Sequence, residues 1–179
     1  IENYIQIFKD ASFWNSFKNT ILFILGYIPL VLVFGLGAAL LLNQKIKFRA
    51  TFRAIYFLPV VTSWVAVSLV WKWLYNPNLG LINYFLSLVG IAGPEWLNNP
   101  DTAMLSIVLT SVWKDIGFVM VIFLGGLQNI SPSYYEAASI DGASSSRKFW
   151  HITLPLLAPT TFLVTIISLI NSFQVFDQV

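Results

Sequence analysis

Cysteine is absent from the 179 residues, which rules out disulfides, zinc–thiolate centres and thiol chemistry. Histidine occurs once, as His151, so a serine–histidine catalytic pair has a single position to draw on. Charge is scarce: Asp, Glu, Lys and Arg together make up 10% of the chain, against about 25% in soluble domains. The formal net charge of +2 leaves no basic surplus for nucleic acid, which is not expected as a partner. No G-x-x-x-x-G-K-[ST] run is present to cradle a nucleotide. Neither a metal-ligand cluster nor a cofactor motif stands out, so no metal and no cofactor are expected. Internal repeats and linkers are missing as well, which makes residues 1–179 read as one membrane domain. The first residue is Ile1 and no short apolar segment with a cleavage site follows, so the chain reads as an excerpt of a longer polypeptide.

What fills the space is apolar. Hydrophobic residues make up 57% of the chain and its mean hydropathy is +0.74. Seven Trp, seven Tyr and fifteen Phe suit interfacial belts and aromatic-lined cavities. A helix needs about 20 apolar residues to cross a bilayer. Four runs qualify, at about 19–43, 54–74, 103–127 and 156–176. The fold class expected is all-α, a polytopic bundle of transmembrane helices. Pro29 and Pro59 fall inside apolar runs, where each is expected to kink its helix.

The few charges orient the spans, because positive residues collect in cytoplasmic loops. Lys45, Lys47, Arg49 and Arg53 crowd the connection after the first run, and Arg147 and Lys148 follow the third. Residues 76–102 contain no Lys or Arg and carry Glu95 and Asp101. Residues 43–53 and 128–154 are therefore expected in the cytoplasm, with 75–102 and the lead-in 1–18 outside. Leu81 to Gly90, too short to span, is expected to lie as an interfacial helix between turn-rich NPNLG and GPEWLNNP.

Ionisable residues at membrane depth are costly and mark candidate sites. Lys114 and Asp115 fall mid-way along the third run. Neighbours point about 100° apart on a helix, so at least one is expected to face water or a partner subunit, while the other reading is a structural polar contact. Lys72, near the outer end of the second run, is expected to snorkel. In the fourth run Thr161, Thr165, Ser168 and Ser172 share one face, flanked by Asn171 and Gln174. Helix packing accounts for the hydroxyls. The two amides suit a sugar, whose C–H face would also stack on nearby Trp or Phe.

The segment from Tyr135 to Pro155 is hydrophilic, basic and wedged between apolar runs. Ser133 with Glu136 fits a capping box; alternatively Ser131 is the cap and Pro132 takes the first helical position. Gly142 stops the helix, because glycine enters the left-handed conformation without steric cost. A short helix held at the water side by its flanking spans suits docking onto another protein.

The spacing E-A-A, three residues, G, nine residues, I-x-L-P is met by Glu136, Ala137, Ala138, Gly142, Ile152, Leu154 and Pro155. It resembles the signature loop of membrane subunits of bacterial binding-protein-dependent ABC importers. FKNTILF (17–23), RATFRAIYFLP (49–59), WKWLYNPNLGLIN (71–83), EWLNNP (95–100), GFVMVIFLGGLQNI (117–130) and INSFQVF (170–176) are similar, in order and spacing, to the sugar-permease branch. The resemblance implies a six-span subunit, with one span before Ile1 and one after Val179. Its coupling helix would sit in a cleft of a cytoplasmic ATPase, contacting it through Glu136, Ala137, Ala138, Asp141 and Gly142, with Ile152, Leu154 and Pro155 setting the exit into the fourth span. Ser131-Pro132 departs from the pattern, in which proline more often follows the isoleucine directly, and this bears on where the coupling helix starts.

By the same resemblance, solute contacts fall on Ser63, Trp64, Trp113, Asp115, Phe118, Ser168, Asn171 and Gln174. The partners implied are a second permease subunit, two ATPase subunits, an external solute-binding protein, a sugar and membrane lipid. The location implied is the bacterial cytoplasmic membrane. Hydrolysis would belong to the ATPases, so the chain is not expected to be an enzyme. The rival readings are a permease of the same superfamily for another solute, such as glycerol phosphate, and, more remotely, a channel or intramembrane enzyme.

Overall fold

A computed structural model describes residues 2–44 and 46–174. Lys45 and residues 175–176, the end of the fourth expected span, lie outside the described residues. Among these residues the secondary structure is helical throughout: α1 Glu2–Lys9, α2 Ala11–Asn43, α3 Arg49–Val61, α4 Trp64–Leu74, α5 Leu81–Leu88, α6 Pro100–Gln128, α7 Pro132–Ile140, α8 Ser145–Lys148, a π-helical stretch Phe149–Thr153, α9 Leu154–Leu156 and α10 Ala158–Ser172. By length and composition α2 and α6 can each cross a bilayer alone. Arg49–Val61 with Trp64–Leu74, and Ser145–Leu156 with Ala158–Ser172, carry enough apolar sequence for up to two more crossings.

Three expectations change. The first helix begins at Ala11 rather than near residue 19, its start fixed by Asp10, whose carboxylate accepts from Ser12 N at 2.8 Å. Helix α2 then continues through Pro29 without a break. The second run is two helices, interrupted at Thr62 and Ser63, with Thr62 N closing on Pro59 O at 3.2 Å. The helix that holds Pro59 runs two residues past it and ends where Thr62 turns extended, at ψ 139°. The fourth run starts earlier than expected. Helix resumes at Ser145 inside the hydrophilic loop and bends by 62° at Leu157 before α10.

The chain divides into two compact units: Ile1–Pro29, Trp64–Ser111 and Leu169–Val179 in the first, Leu30–Ser63 and Val112–Ser168 in the second. The first unit buries Phe23, Tyr27, Val67, Tyr75 and Val108. Its loops are pinned by polar contacts. Tyr75 donates to Ser106 O at 3.1 Å, Trp96 Nε1 to Asn83 Oδ1 at 2.7 Å, and Asn83 Nδ2 to the carbonyls of Pro77 and Pro94 at 3.2 Å. These bonds satisfy the turn-rich segments on either side of α5, which carries Tyr84, Phe85 and Leu88 exposed. At the start of α2, Phe8, Phe13, Trp14 and Phe17 form a ring cluster with centroids 5.4–6.2 Å apart.

The second unit buries Val31, Ala39, Val119, Met120, Phe123, Leu157 and Val164. Glycines bring its helices close. A side chain at Gly35 would run into Val119, one at Gly117 into the backbone of Tyr56, and one at Gly126 into Leu157 and Thr160. Small residues at crossings let membrane helices gain dispersion contact where lipid gives no hydrophobic drive.

Candidate functional site: the α7 loop and the polar groups of the spans

Helix α7 is short, so its ends decide whether it holds its shape. Ser131 is the cap and Pro132 the first helical residue, which settles the choice left open by the sequence. Ser133 N donates to Ser131 Oγ at 3.4 Å, and the two hydroxyls lie 2.8 Å apart. At the other end Gly142 has φ +73°. Gly142 N reaches Ser139 O at 3.1 Å and Ala143 N reaches Ala138 O at 2.8 Å. This pair is the Schellman closure, which satisfies two carbonyls that would otherwise be orphaned.

One face of α7 is tied down. Tyr135 and Thr153 share a hydroxyl contact of 3.0 Å, and Lys148 Nζ donates to Ser139 Oγ at 2.6 Å. Thr153 is buried and ends the π-helical stretch, so α7 is fastened to the start of the last membrane segment. The opposite face is open: Ser133, Glu136 and Ala137 are exposed, and Ile140 keeps 88% of its surface. Asp141, the C-cap, is exposed too, and Ala138 is half-buried. In the exit segment Ile152 closes the π-helix with Thr153, Leu154 and Pro155 form α9, and the 62° bend follows within two residues. His151 is exposed, with Nδ1 3.1 Å from Arg147 O.

Lys114 does not face water. It retains 4% of its surface and donates to Pro59 O at 3.1 Å and Val60 O at 3.2 Å. A cation on the last carbonyls of α3 satisfies acceptors that the helix cannot and complements its dipole. The sequence offered this reading only as an unspecified polar contact, and placed Pro59 inside a span as a kink rather than near the helix end that supplies the acceptors. With Lys114 turned toward α3, its neighbours on α6 diverge to either side: Trp113 is 44% exposed and Asp115 half-buried.

The remaining solute-contact candidates are distributed as follows. Ser63 is exposed in the break after α3, and Phe118 is half-buried and Ser168 buried, all in the second unit. Trp64 opens α4 half-buried, and Asn171 and Gln174 are exposed, in the first unit. Lys72 sits exposed in the last turn of α4. Thr161 and Thr165 donate to Leu157 O and Thr161 O at 3.0 and 2.7 Å, so their hydroxyls are satisfied within α10. The sequence analysis missed a cavity of about 350 Å³ in the first unit, where Ser16, Asn19, Thr20 and Ser172 meet an apolar wall that includes Phe23, Met104 and Phe173. Of these polar residues only Ser172 had been singled out; Ser16 sits in what read as a lead-in, and Asn19 and Thr20 at the very start of the first expected span.

The family model for the inner membrane component of binding-protein-dependent transport systems matches residues 13–177. The chain belongs to that family. It is 37% identical to the trehalose/maltose transport system permease protein MalF of Thermococcus litoralis, across 99% of this chain and 60% of that protein. It is also 37% identical to the lactose transport system permease protein LacF of Rhizobium radiobacter, again across 99% and 60%. A crystal structure of a bacterial ABC transporter involved in the import of the acidic polysaccharide alginate is similar, with a TM-score of 0.86 and 25% identity over 98% of this chain and 62% of that one. The chain thus spans about three-fifths of the length of these relatives. Members of the family are transport permeases embedded in the membrane rather than enzymes.

Proposed function

We propose that the chain is the permease core of an ATP-driven importer that carries a sugar or oligosaccharide across the bacterial cytoplasmic membrane. The observation that carries this reading is α7: a helix capped at both ends, bound on one face to the last membrane segment and bare on the other. A peg built that way passes force rather than absorbing it. Relatives named for trehalose/maltose and lactose transport support the sugar class.

In this reading residues 1–179 act as one membrane domain, which accords with a family match running from residue 13 to 177. The assembly contains a second permease subunit, two cytoplasmic ATPase subunits and an external solute-binding protein. A related alginate importer, crystallised with a periplasmic protein bound to alginate pentasaccharide, supports the last of these. Closure of the ATPases displaces α7 as a rigid body through Glu136, Ala137, Ala138, Asp141 and Gly142. The Tyr135–Thr153 and Ser139–Lys148 contacts hand the displacement to Ile152, Leu154, Pro155 and the bend at Leu157. The spans are thereby biased between inward- and outward-facing states. Ser63, Trp64, Trp113, Asp115, Phe118, Ser168, Asn171 and Gln174 are the solute-contact positions of this proposal.

The test uses the assembled transporter in vesicles. Glu136→Lys reverses the charge on the open face, and Gly142→Asp puts a side chain where φ is positive, costing about 1–2 kcal/mol at the cap. Both variants are expected to insert normally and to lose ATPase association or solute-coupled hydrolysis. Full transport by both would overturn the coupling role. A cysteine placed at Ala137 gives an independent check: labelling by an impermeant reagent from outside the cell would overturn the orientation.

A further inference from the structure

Among the described residues, the second unit holds two guanidinium groups with no acidic partner. Arg49 and Arg53 lie one turn apart at the start of α3, and both reach the side chain of Gln128 at the end of α6. With its amide oxygen turned toward them, Gln128 accepts from Arg49 Nη2 at 3.1 Å and from Arg53 Nη2 at 3.3 Å. The Nε of each arginine is buried and has no partner among the described residues. A guanidinium carries five N–H donors, so one neutral carbonyl shared by two leaves both groups under-satisfied and two like charges facing each other. Lys47, exposed just before α3, adds to the positive field.

The adjoining surface is apolar. Phe52 and Tyr56 continue the arginine face of α3 and, with Leu41, Leu42 and Ile46, line a groove of about 240 Å³. Phe48, the N-cap of α3, has φ +61° and is 76% exposed. A bulky residue in the left-handed region is uncommon, and here it leaves an aromatic ring bare beside the cations.

We propose that Arg49 and Arg53 bind the phosphate of an anionic phospholipid, with an acyl chain in the groove formed by Leu41, Leu42, Ile46, Phe52 and Tyr56. A phosphate supplies the several acceptor oxygens that two guanidinium forks require and that one amide does not. An acidic side chain of a partner protein would neutralise the arginines but leave the groove and Phe48 uncovered; a lipid accounts for both. Basic pockets between membrane helices take anionic headgroups in this way. The proposal goes beyond the coupling role of α7 and does not depend on it.

The experiment is lipid retention by the purified assembly in detergent micelles, read by native mass spectrometry with added phosphatidylglycerol or phosphatidylcholine. Wild type is expected to retain phosphatidylglycerol preferentially. Arg49→Gln with Arg53→Gln should weaken that binding by roughly 30-fold, with phosphatidylcholine unaffected. Leu41 is exposed, so Leu41→Glu should fold, and it is expected to weaken retention while both arginines remain. Lys72→Gln, at an exposed cation of the first unit, should leave phosphatidylglycerol retention unchanged. Three results would each overturn the proposal: wild-type retention by the double and Leu41 variants, displacement of the lipid by an equal concentration of glycerol phosphate, or unchanged lipid with loss of ATPase association.

Discussion

Lys114 illustrates how a charge can be kept inside a membrane helix. It is buried to 4% exposure, yet its ammonium group meets carbonyls in the last turn of α3. Pro59 O also accepts from Thr62 N, so the ammonium completes one acceptor and supplies the partner of the other, Val60 O, in a low-dielectric setting. Lys114→Met removes the donor and keeps the volume. It is expected to destabilise the protein by about 1–3 kcal/mol, the cost of stranding a buried acceptor. A lower thermal midpoint in detergent would register the loss, and Lys72→Met, at an exposed position, should leave the midpoint in place. Gly142 makes a residue-level point of another kind. Its φ of +73° is what permits both Schellman bonds, and so its identity could be read from the sequence alone.

At the scale of elements, glycines set how closely helices approach. Gly117 faces the Tyr56 carbonyl with no room for a side chain, whereas Gly125, two turns on, has nothing within 4 Å. Gly117→Leu should therefore force α6 from α3 and cost about 1–3 kcal/mol or more, as overpacked interiors do. Gly125→Leu should be close to neutral, and thermal melts of the two side by side provide the check. Elements also show where pattern reading ran short. The apolar runs located α2 and α6 to within a few residues at their C-terminal ends, because their interiors are uncharged or nearly so. Run length alone missed the interruption at Thr62 and Ser63, since apolarity continues through it. It likewise missed the helix from Ser145, since three serines and two cations read as loop. There the deciding signals were local: Ser144 accepting from Arg147 N at 3.4 Å, and a π-turn that carries the chain from polar to apolar without a break.

For the whole molecule, composition and the loop spacing were sufficient to indicate an all-helical membrane permease, and the family match agrees. The candidate coupling loop was legible because a short helix of this kind demands fixed local geometry: a cap, a stop and an exit at set intervals. The proposed solute-contact positions were far less so. They depend on which side of a helix faces which neighbour, and a single chain's hydrophobicity hardly changes with that choice. Lys114 is a case in point, since nothing in VWKDIGF says which of its two charges turns inward.

Ile140 carries a consequence for how the subunit is made. Ile140 keeps 88% of its surface bare on the open face of α7, the face that the proposed ATPase partner would cover. If the proposed assembly holds, a copy made in excess of its partners would display that tip, and it is expected to be cleared faster by quality-control proteases. Pulse–chase measurements should find the lone subunit short-lived, stabilised by co-expressed ATPase and also by Ile140→Ser. Equal half-lives in all three cases would count against the tip as a degradation signal.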